Sequence, residues 1–233
     1  MKHAKKQVLV TGGTSGLGQA IAEGFANANC QVLAVGLGDL PQDKENISYR
    51  HLDVTDLDAV ISLIDTLSSL DVVVNAAGVI RREEELSPDV FAQVVDINLN
   101  GTMRVCAAAR PLLADRNGSI INIASMLSYF GGGLVPGYAA SKGGIAQLTK
   151  SLAIAYASDN IRVNALAPGW ISTPLTQNLQ DDAERSAAIL SRTPMARWGQ
   201  PEDLIGPALF LASEAAGFVT GTILNVDGGY AAV

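Results

Sequence analysis

The amino-acid sequence predicts an α/β fold: a doubly wound parallel sheet in one domain spanning residues 1–233. Three observations predict it. Short β-branched runs alternate with longer segments of helical periodicity from one end of the chain to the other. Most of those runs have a continuously apolar centre, the pattern of parallel strands covered on both faces. No repeat, linker or low-complexity segment breaks the alternation. Hydrophobic residues make up 48% of the chain and charged residues 17%, which excludes disorder and allows a sizeable core.

Gln7–Thr11 reads as the first strand, followed by a helix over Leu17–Asn29 with Ile21, Phe25 and Ala28 on one face. Gln31–Val35 and Tyr49–Asp53 are the second and third strands. A helix follows from about Asp56 to Leu67, with Val60, Leu63, Ile64 and Leu67 at helical spacing. Asp71–Asn75 is the fourth strand. Ser87-Pro88 starts a helix, Ser as N-cap and Pro at the first helical position, and that helix runs on towards Leu113. Ser119–Ala124 is the fifth strand, Tyr138–Ser158 a long helix and Arg162–Ala167 the sixth strand. Trp170–Gly199 has little periodicity and reads as a long irregular connection of the kind that forms lids or substrate loops. Pro201–Ala212 is a helix and Ile223–Val226 the last strand.

Composition excludes several classes of function. With 16 Lys plus Arg against 23 Asp plus Glu, the net charge is −7, the wrong sign for a nucleic-acid binder. There are only two His (His3, His51) and two Cys (Cys30, Cys106), all far apart, so no metal site is expected. A Ser–His–Asp or Cys–His mechanism would have to rest on His3 or His51. The cysteines read as small core side chains. The uncharged run Asn117–Ser141 is broken throughout by Asn, Ser, Gly and Pro, so no membrane span is expected. The basic start, Met1-Lys-His-Ala-Lys-Lys, leads into too short an apolar run for a signal peptide. The expectation is a soluble, cytoplasmic protein.

The first strand runs directly into Thr11-Gly12-Gly13-Thr14-Ser15-Gly16-Leu17-Gly18, and a helix follows. In that context glycines permit a sharp turn and bring a pyrophosphate onto the unpaired N–H groups and positive dipole end of the helix. The reading is a Rossmann-type dinucleotide site. The spacing of Gly12, Gly16 and Gly18, Thr-Gly-x-x-x-Gly-x-Gly, resembles the short-chain dehydrogenase/reductase family. The end of the second strand chooses the dinucleotide: an acidic residue meets the ribose 2′-OH of NAD, a base the 2′-phosphate of NADP. No base stands at Ser15 or Leu37, and Asp39 either meets the ribose or is a solvated turn aspartate. NAD is expected. The resemblance also places Asp53 and Val54 against adenine. Asn75-Ala76-Ala77-Gly78 matches the family's Asn-Asn-Ala-Gly turn with one Asn replaced by Ala.

Tyr138-Ala139-Ala140-Ser141-Lys142 sets a phenol and an ammonium on one face of a helix. A nearby cation stabilises the phenolate, and lowering a phenol by about three pH units needs roughly 4 kcal/mol. Ser125 ends the fifth strand, where its hydroxyl can orient a reacting oxygen. Asn98 is a poor residue for a helix interior. The resemblance makes Asn98, Ser125, Tyr138 and Lys142 a catalytic tetrad, with Asn98 holding a water that relays protons to the lysine. It extends to Pro168-Gly169 against nicotinamide, and to Ile171 and Thr173 against carboxamide and phosphate. Val226-Asp227-Gly228-Gly229 matches the terminal strand and turn, which in the family helps build tetramers, so a homotetramer is expected.

Two stretches resemble a narrower group acting on sugar acids such as 2-deoxygluconate, 3-deoxy-2-oxogluconate or gluconate. They are Gly78-Val79-Ile80-Arg81-Arg82 with Ala124-Ser125-Met126-Leu127-Ser128, and Glu184-Arg185-Ser186-Ala187 through Arg197-Trp198-Gly199. An acidic protein needs a local cation for such a substrate, and Arg81, Arg82 or Arg192 can supply it. The competing readings are a 3-oxoacyl thioester reductase, a neutral sugar or polyol dehydrogenase, and a non-catalytic dinucleotide sensor.

Overall fold

A computed structural model describes residues 5–233. The basic start from Met1 to Ala4, His3 included, lies outside the described residues. One sheet carries seven strands in the order β3-β2-β1-β4-β5-β6-β7, every neighbouring pair parallel. In chain order the elements are β1 (Gln7–Thr11), α1 (Gly16–Asn27), β2 (Gln31–Gly36), β3 (Ile47–His51), α2 (Leu57–Asp65) and β4 (Val72–Asn75). Then come α3 (Pro88–Val95), α4 (Gly101–Ala114), β5 (Ser119–Ile123), α5 (Pro136–Ala155) and β6 (Arg162–Pro168). The last are α6 (Gln177–Gln180), α7 (Ala183–Ser191), α8 (Ile205–Ala212) and β7 (Ile223–Val226).

Side chains alternate across each strand, and both faces are covered. Val8 and Val10 of β1 join Ile21 and Phe25 of α1 in one core. Leu9 between them joins Val105, Leu113 and Ile120 in the other. Cys30 and Cys106 are buried and not disulfide-bonded, small core side chains as expected. After β3 the chain returns across β1 to lay down β4, with Thr11 opposite both Val35 and Asn75. The carboxyl ends of β1 and β4 thus flank the switch point, where doubly wound sheets bind ligands.

Several boundaries differ from the sequence reading, each for a local reason. Asp56 is the N-cap of α2, its carboxylate accepting the Ala59 N–H at 3.0 Å. The third strand lies two residues earlier than expected, in register with Val32–Gly36. Ala28 is exposed, because α1 ends at Asn27 and Asn29 turns the chain with φ +63. The helix expected to run from Ser87 towards Leu113 is interrupted by a π-turn at Asp96–Asn100. The final helix opens with a 3-10 turn, Pro201–Leu204. The connection Trp170–Gly199 contains α6 and α7, the latter capped by Asp182 accepting from Glu184 and Arg185 N–H groups. No helix of the described residues is long and apolar enough to cross a membrane.

Candidate active site

A groove of about 440 Å³ opens at the switch point, lined by Gly12, Thr14, Ser15, Gly36, Leu37, Asp53, Val54, Ala77 and Gly78 among others. Glycine is required at three positions of the turn beside it. At Gly12 (φ +64) a Cβ would stand 2.6 Å from the Ala77 nitrogen, and at Gly18 one would stand 2.1 Å from the Gly12 carbonyl oxygen. Gly16 (φ +53) has open space on that side. Ser15 caps α1 without a side-chain hydrogen bond, so the first-turn N–H groups keep no side-chain acceptor. This open, donor-rich cradle fits a pyrophosphate.

The other predicted dinucleotide residues divide between lining and support. Asp53 lines the groove with its carboxylate turned onto Thr55 N and Oγ1, at 2.9 and 2.7 Å. Leu17 packs on the core and Ala76 sits against Gly18. Asn75 is buried, donating to Asn122 Oδ1 at 3.0 Å and to the Cys106 sulfur at 3.2 Å. Asp39 is exposed beyond Gly38 (φ +79) and is not among the groove residues, whereas Leu37 is. The Ile171 side chain belongs to the core, and Thr173 caps a turn at Pro174–Thr176.

The expected tetrad converges at the carboxyl edge. The π-turn at Asp96–Asn100 carries Asn98, 1% exposed, and π-turns inside helices recur at functional sites. Its side chain copies a peptide: Oδ1 accepts from Val79 N at 2.8 Å, and Nδ2 donates to Val79 O and Ser141 Oγ, both at 3.0 Å. Ser141 Oγ in turn donates to the Tyr138 carbonyl at 2.7 Å. Lys142 is buried, its Nζ donating to Ile123 O at 2.6 Å and lying 5.5 Å from the centre of the Tyr138 ring. Ser128 ties the Ser125 turn to the same helix, its Oγ accepting from Ser125 N and donating to Lys142 O.

Electrostatics differ from expectation in one respect. Burial pushes the Tyr138 phenol above its ordinary value; the Ser125 hydroxyl pulls it back and the Glu85 carboxylate raises it further. Burial also takes the Lys142 ammonium down, to about 8. The sequence led to a phenol lowered by its lysine. In the protein alone, desolvation is the largest influence on both groups.

Tyr138 and Ser125 open onto a second cavity of about 510 Å³, which Pro168, Gly169, Trp170, Arg82 and Arg192 also line. Of the three candidate arginines, Arg81 turns away: its guanidinium donates to Gln93 Oε1 at 2.9 Å and it lines neither cavity. The Arg192 guanidinium lies 4.4 Å from the Tyr230 ring centre and 5.0 Å from that of Phe130. Among the described residues neither Arg82 nor Arg192 has a carboxylate partner. His51 ends the edge strand on the surface, far from a catalytic role.

A family model described as enoyl-(acyl carrier protein) reductase matches residues 12–231. This chain belongs to the short-chain dehydrogenase/reductase family. It is 41% identical to the 2-dehydro-3-deoxy-D-gluconate 5-dehydrogenase of Pseudoalteromonas atlantica, over 97% of this chain and 95% of that one. The Escherichia coli K12 protein of the same name is also 41% identical, over 97% and 96%. A candidate 2-deoxy-D-gluconate 3-dehydrogenase from Agrobacterium tumefaciens, with bound NADP, superposes at a TM-score of 0.90 with 42% identity, over 98% and 97% of the two chains. A gluconate 5-dehydrogenase from Burkholderia cenocepacia, in complex with NADP and tartrate, gives 0.90 at 33% identity, over 98% and 96%. As a short-chain dehydrogenase/reductase the chain is an oxidoreductase acting on CH–OH groups with a pyridine nucleotide. Glu85, inside the run Glu83–Glu85, is a contributor that no sequence motif marks; the structure buries it beside Tyr138.

Proposed function

We propose that this chain interconverts a secondary alcohol and a ketone on a sugar acid of the 2-deoxygluconate or 3-deoxy-2-oxogluconate type, within a single domain spanning 1–233. The observation that carries this reading is a cavity holding Ser125 and Tyr138 together with two arginines that have no carboxylate partner among the described residues, on a chain of net charge −7. The names of the similar proteins support the same class of substrate.

Gly12, Thr14, Ser15, Asp53 and Val54 would hold a nicotinamide dinucleotide in the groove, which would supply the hydride chemistry. The chain's own residues manage the proton and the geometry. Tyr138 takes the hydroxyl proton in oxidation and returns it in reduction. Ser125 Oγ holds the reacting oxygen by a hydrogen bond. Lys142 stabilises the phenolate as it forms. Both side-chain N–H groups of Asn98 are taken by Val79 and Ser141, which leaves its oxygens for a proton relay; Thr102 Oγ1 also donates to its backbone carbonyl at 2.9 Å.

NAD is the cofactor we favour, since no Lys or Arg is among the residues that line the groove and Leu37 stands at the end of β2. Nicotinamide absorbance is followed with NAD and NADP separately, because the two similar structures described above hold NADP. The panel is sugar acids, neutral sugars, polyols and a 3-oxoacyl thioester. Turnover of sugar acids with NAD is expected; turnover of the thioester alone, or of neutral alcohols alone, overturns the substrate, and preference for NADP overturns the cofactor.

Arg192→Ala is expected to raise KM for the sugar acid by about 10–100-fold, the loss of one charge-assisted contact, and KM for a neutral polyol by under about threefold. Equal effects on the two substrates would remove Arg192 from the carboxylate. We also read the protein as a cytoplasmic homotetramer. Ile154 and Phe218, 80% and 104% exposed, are apolar side chains that partner copies would cover. Light scattering that gives a monomer would end this reading.

A further inference from the structure

Among the described residues only two charged side chains are buried, Lys142 and Glu85, and both adjoin Tyr138. Lys142 has a role in the reaction; Glu85 has none so far. It is 1% exposed and, among the described residues, has no ion-pair partner. A carboxylate in that position is costly unless its oxygens are satisfied. Here Oε2 accepts the Tyr138 N–H and Oε1 the Arg81 N–H, each at 2.7 Å.

These bonds join two parts of the site. Helix α5 starts at Pro136, which has no N–H, after Val135, whose side chain cannot accept. Glu85 supplies the missing acceptor from another element and sets a negative charge at the positive end of a 20-residue helix. Gly137 keeps the approach clear, since a Cβ there would stand 3.3 Å from Oε2 and from Phe91 backbone atoms. On the other side, Glu85 N donates back to Arg81 O, and Glu83 N donates to Leu134 O at 2.8 Å. Glu83 holds φ +70, a left-handed conformation that a glutamate adopts only when its surroundings impose it. Arg82, which lines the substrate cavity, lies between these anchored residues.

We propose that Glu85 is a positioning residue: one buried carboxylate holds the loop carrying Arg82 in register with the helix start carrying Tyr138. Proton carrier and substrate cation thereby keep a fixed separation. This rests on the reading of Tyr138 as the acid–base group.

The charged groups around the phenol are Lys142 on its own helix, Glu85 from the turn before α3, and Arg82 and Arg192 across the cavity. Glu85 is the one negative charge among them, and it opposes ionisation of Tyr138.

The test compares the wild type with Glu85→Gln and Glu85→Asp. In Glu85→Gln, kcat is expected to fall about 10–100-fold, as misplacement of a reacting group by about an ångström would produce. KM for the charged substrate rises, and the pH-dependent limb of oxidation moves to lower pH because a negative charge beside the phenol is gone. Hydrogen exchange should speed up together in the peptides spanning Arg81–Glu83 and Tyr138, which needs no substrate. Glu85→Asp, keeping the charge, should hold the wild-type pH limb while its shorter reach still lowers kcat. An unchanged kcat in Glu85→Gln overturns the proposal. So does a loss that follows only the folded fraction with the limb unmoved, which would make Glu85 a plain helix cap. If the wild type oxidises some other alcohol and no sugar acid, the substrate reading fails while the same variants on that alcohol still decide the role of Glu85.

Discussion

Tyr138→Phe is expected to cut turnover by about 10³-fold or more while leaving the dinucleotide Kd within about twofold, because positioned acid–base groups contribute about 10²–10⁴. The substitution removes one oxygen and little else. The structural bonds of Tyr138 run through its backbone: its N–H to Glu85 and its carbonyl from Ser141. The ring keeps its place over Lys142, so the helix start and the groove are left intact. The pH dependence adds a second check. With the phenol above its ordinary value, Tyr138 carries its proton at neutral pH and can give it to a ketone oxygen. Oxidation needs the phenolate and should therefore rise into alkaline pH, and Tyr138→Phe should abolish that rise. Residual oxidation above about a tenth of wild type, with the alkaline rise intact, would assign the proton to another group.

The residues legible in sequence are those whose neighbours in the chain are also their neighbours in space. The Gly12–Gly18 turn declares itself because strand, turn and helix are consecutive. Tyr138 and Lys142 declare themselves because four residues on a helix make one face. Buried strands such as Ser119–Ile123 stand out because every residue is covered. Glu85 does not declare itself: nothing distinguishes it from Glu83 and Glu84 until the left-handed Glu83 turns the chain and a helix start some fifty residues on donates an N–H to the carboxylate. Arg81 and Arg82 look interchangeable, yet Gln93 holds the first away from the cavity. Helix α7 carries no buried residue, so no periodicity betrays it, although its Asp182 cap was readable. Asn98 stands out in sequence by its poor helix propensity, but nothing in the chain pattern tells that the helix widens there to let it bond Val79 and Ser141.

Lys142→Met should act in opposite directions on catalysis and on stability. Turnover is expected to fall by about 10²-fold or more, since the phenolate loses the cation that stabilises it. Stability should rise. The ammonium is buried and its pKa lies at about 8 instead of the ordinary 10.5. Because the folded value is the lower one, the unfolded chain holds this proton more tightly, and folding at neutral pH bears the whole penalty of burying the charge. Across a gap of this size that penalty is roughly 3 kcal/mol. The hydrogen bond to Ile123 O, lost in the variant, returns about 1–2 kcal/mol, so a net gain of about 1–2 kcal/mol is expected near pH 7. For a chain of this length that is about 2–8 °C in Tm. The sign with pH is also fixed: between about 8 and 10.5 the folded wild type sheds the proton and recovers the penalty, so the advantage of Met should shrink there. Thermal melts of both proteins at neutral and alkaline pH, without dinucleotide, read this directly. A Met variant that melts lower than wild type at pH 7 would mean that the Ile123 carbonyl and the surrounding dipoles more than compensate the buried charge. A lysine kept at a cost to the fold is held there by chemistry, which is the trade expected of a strained active site.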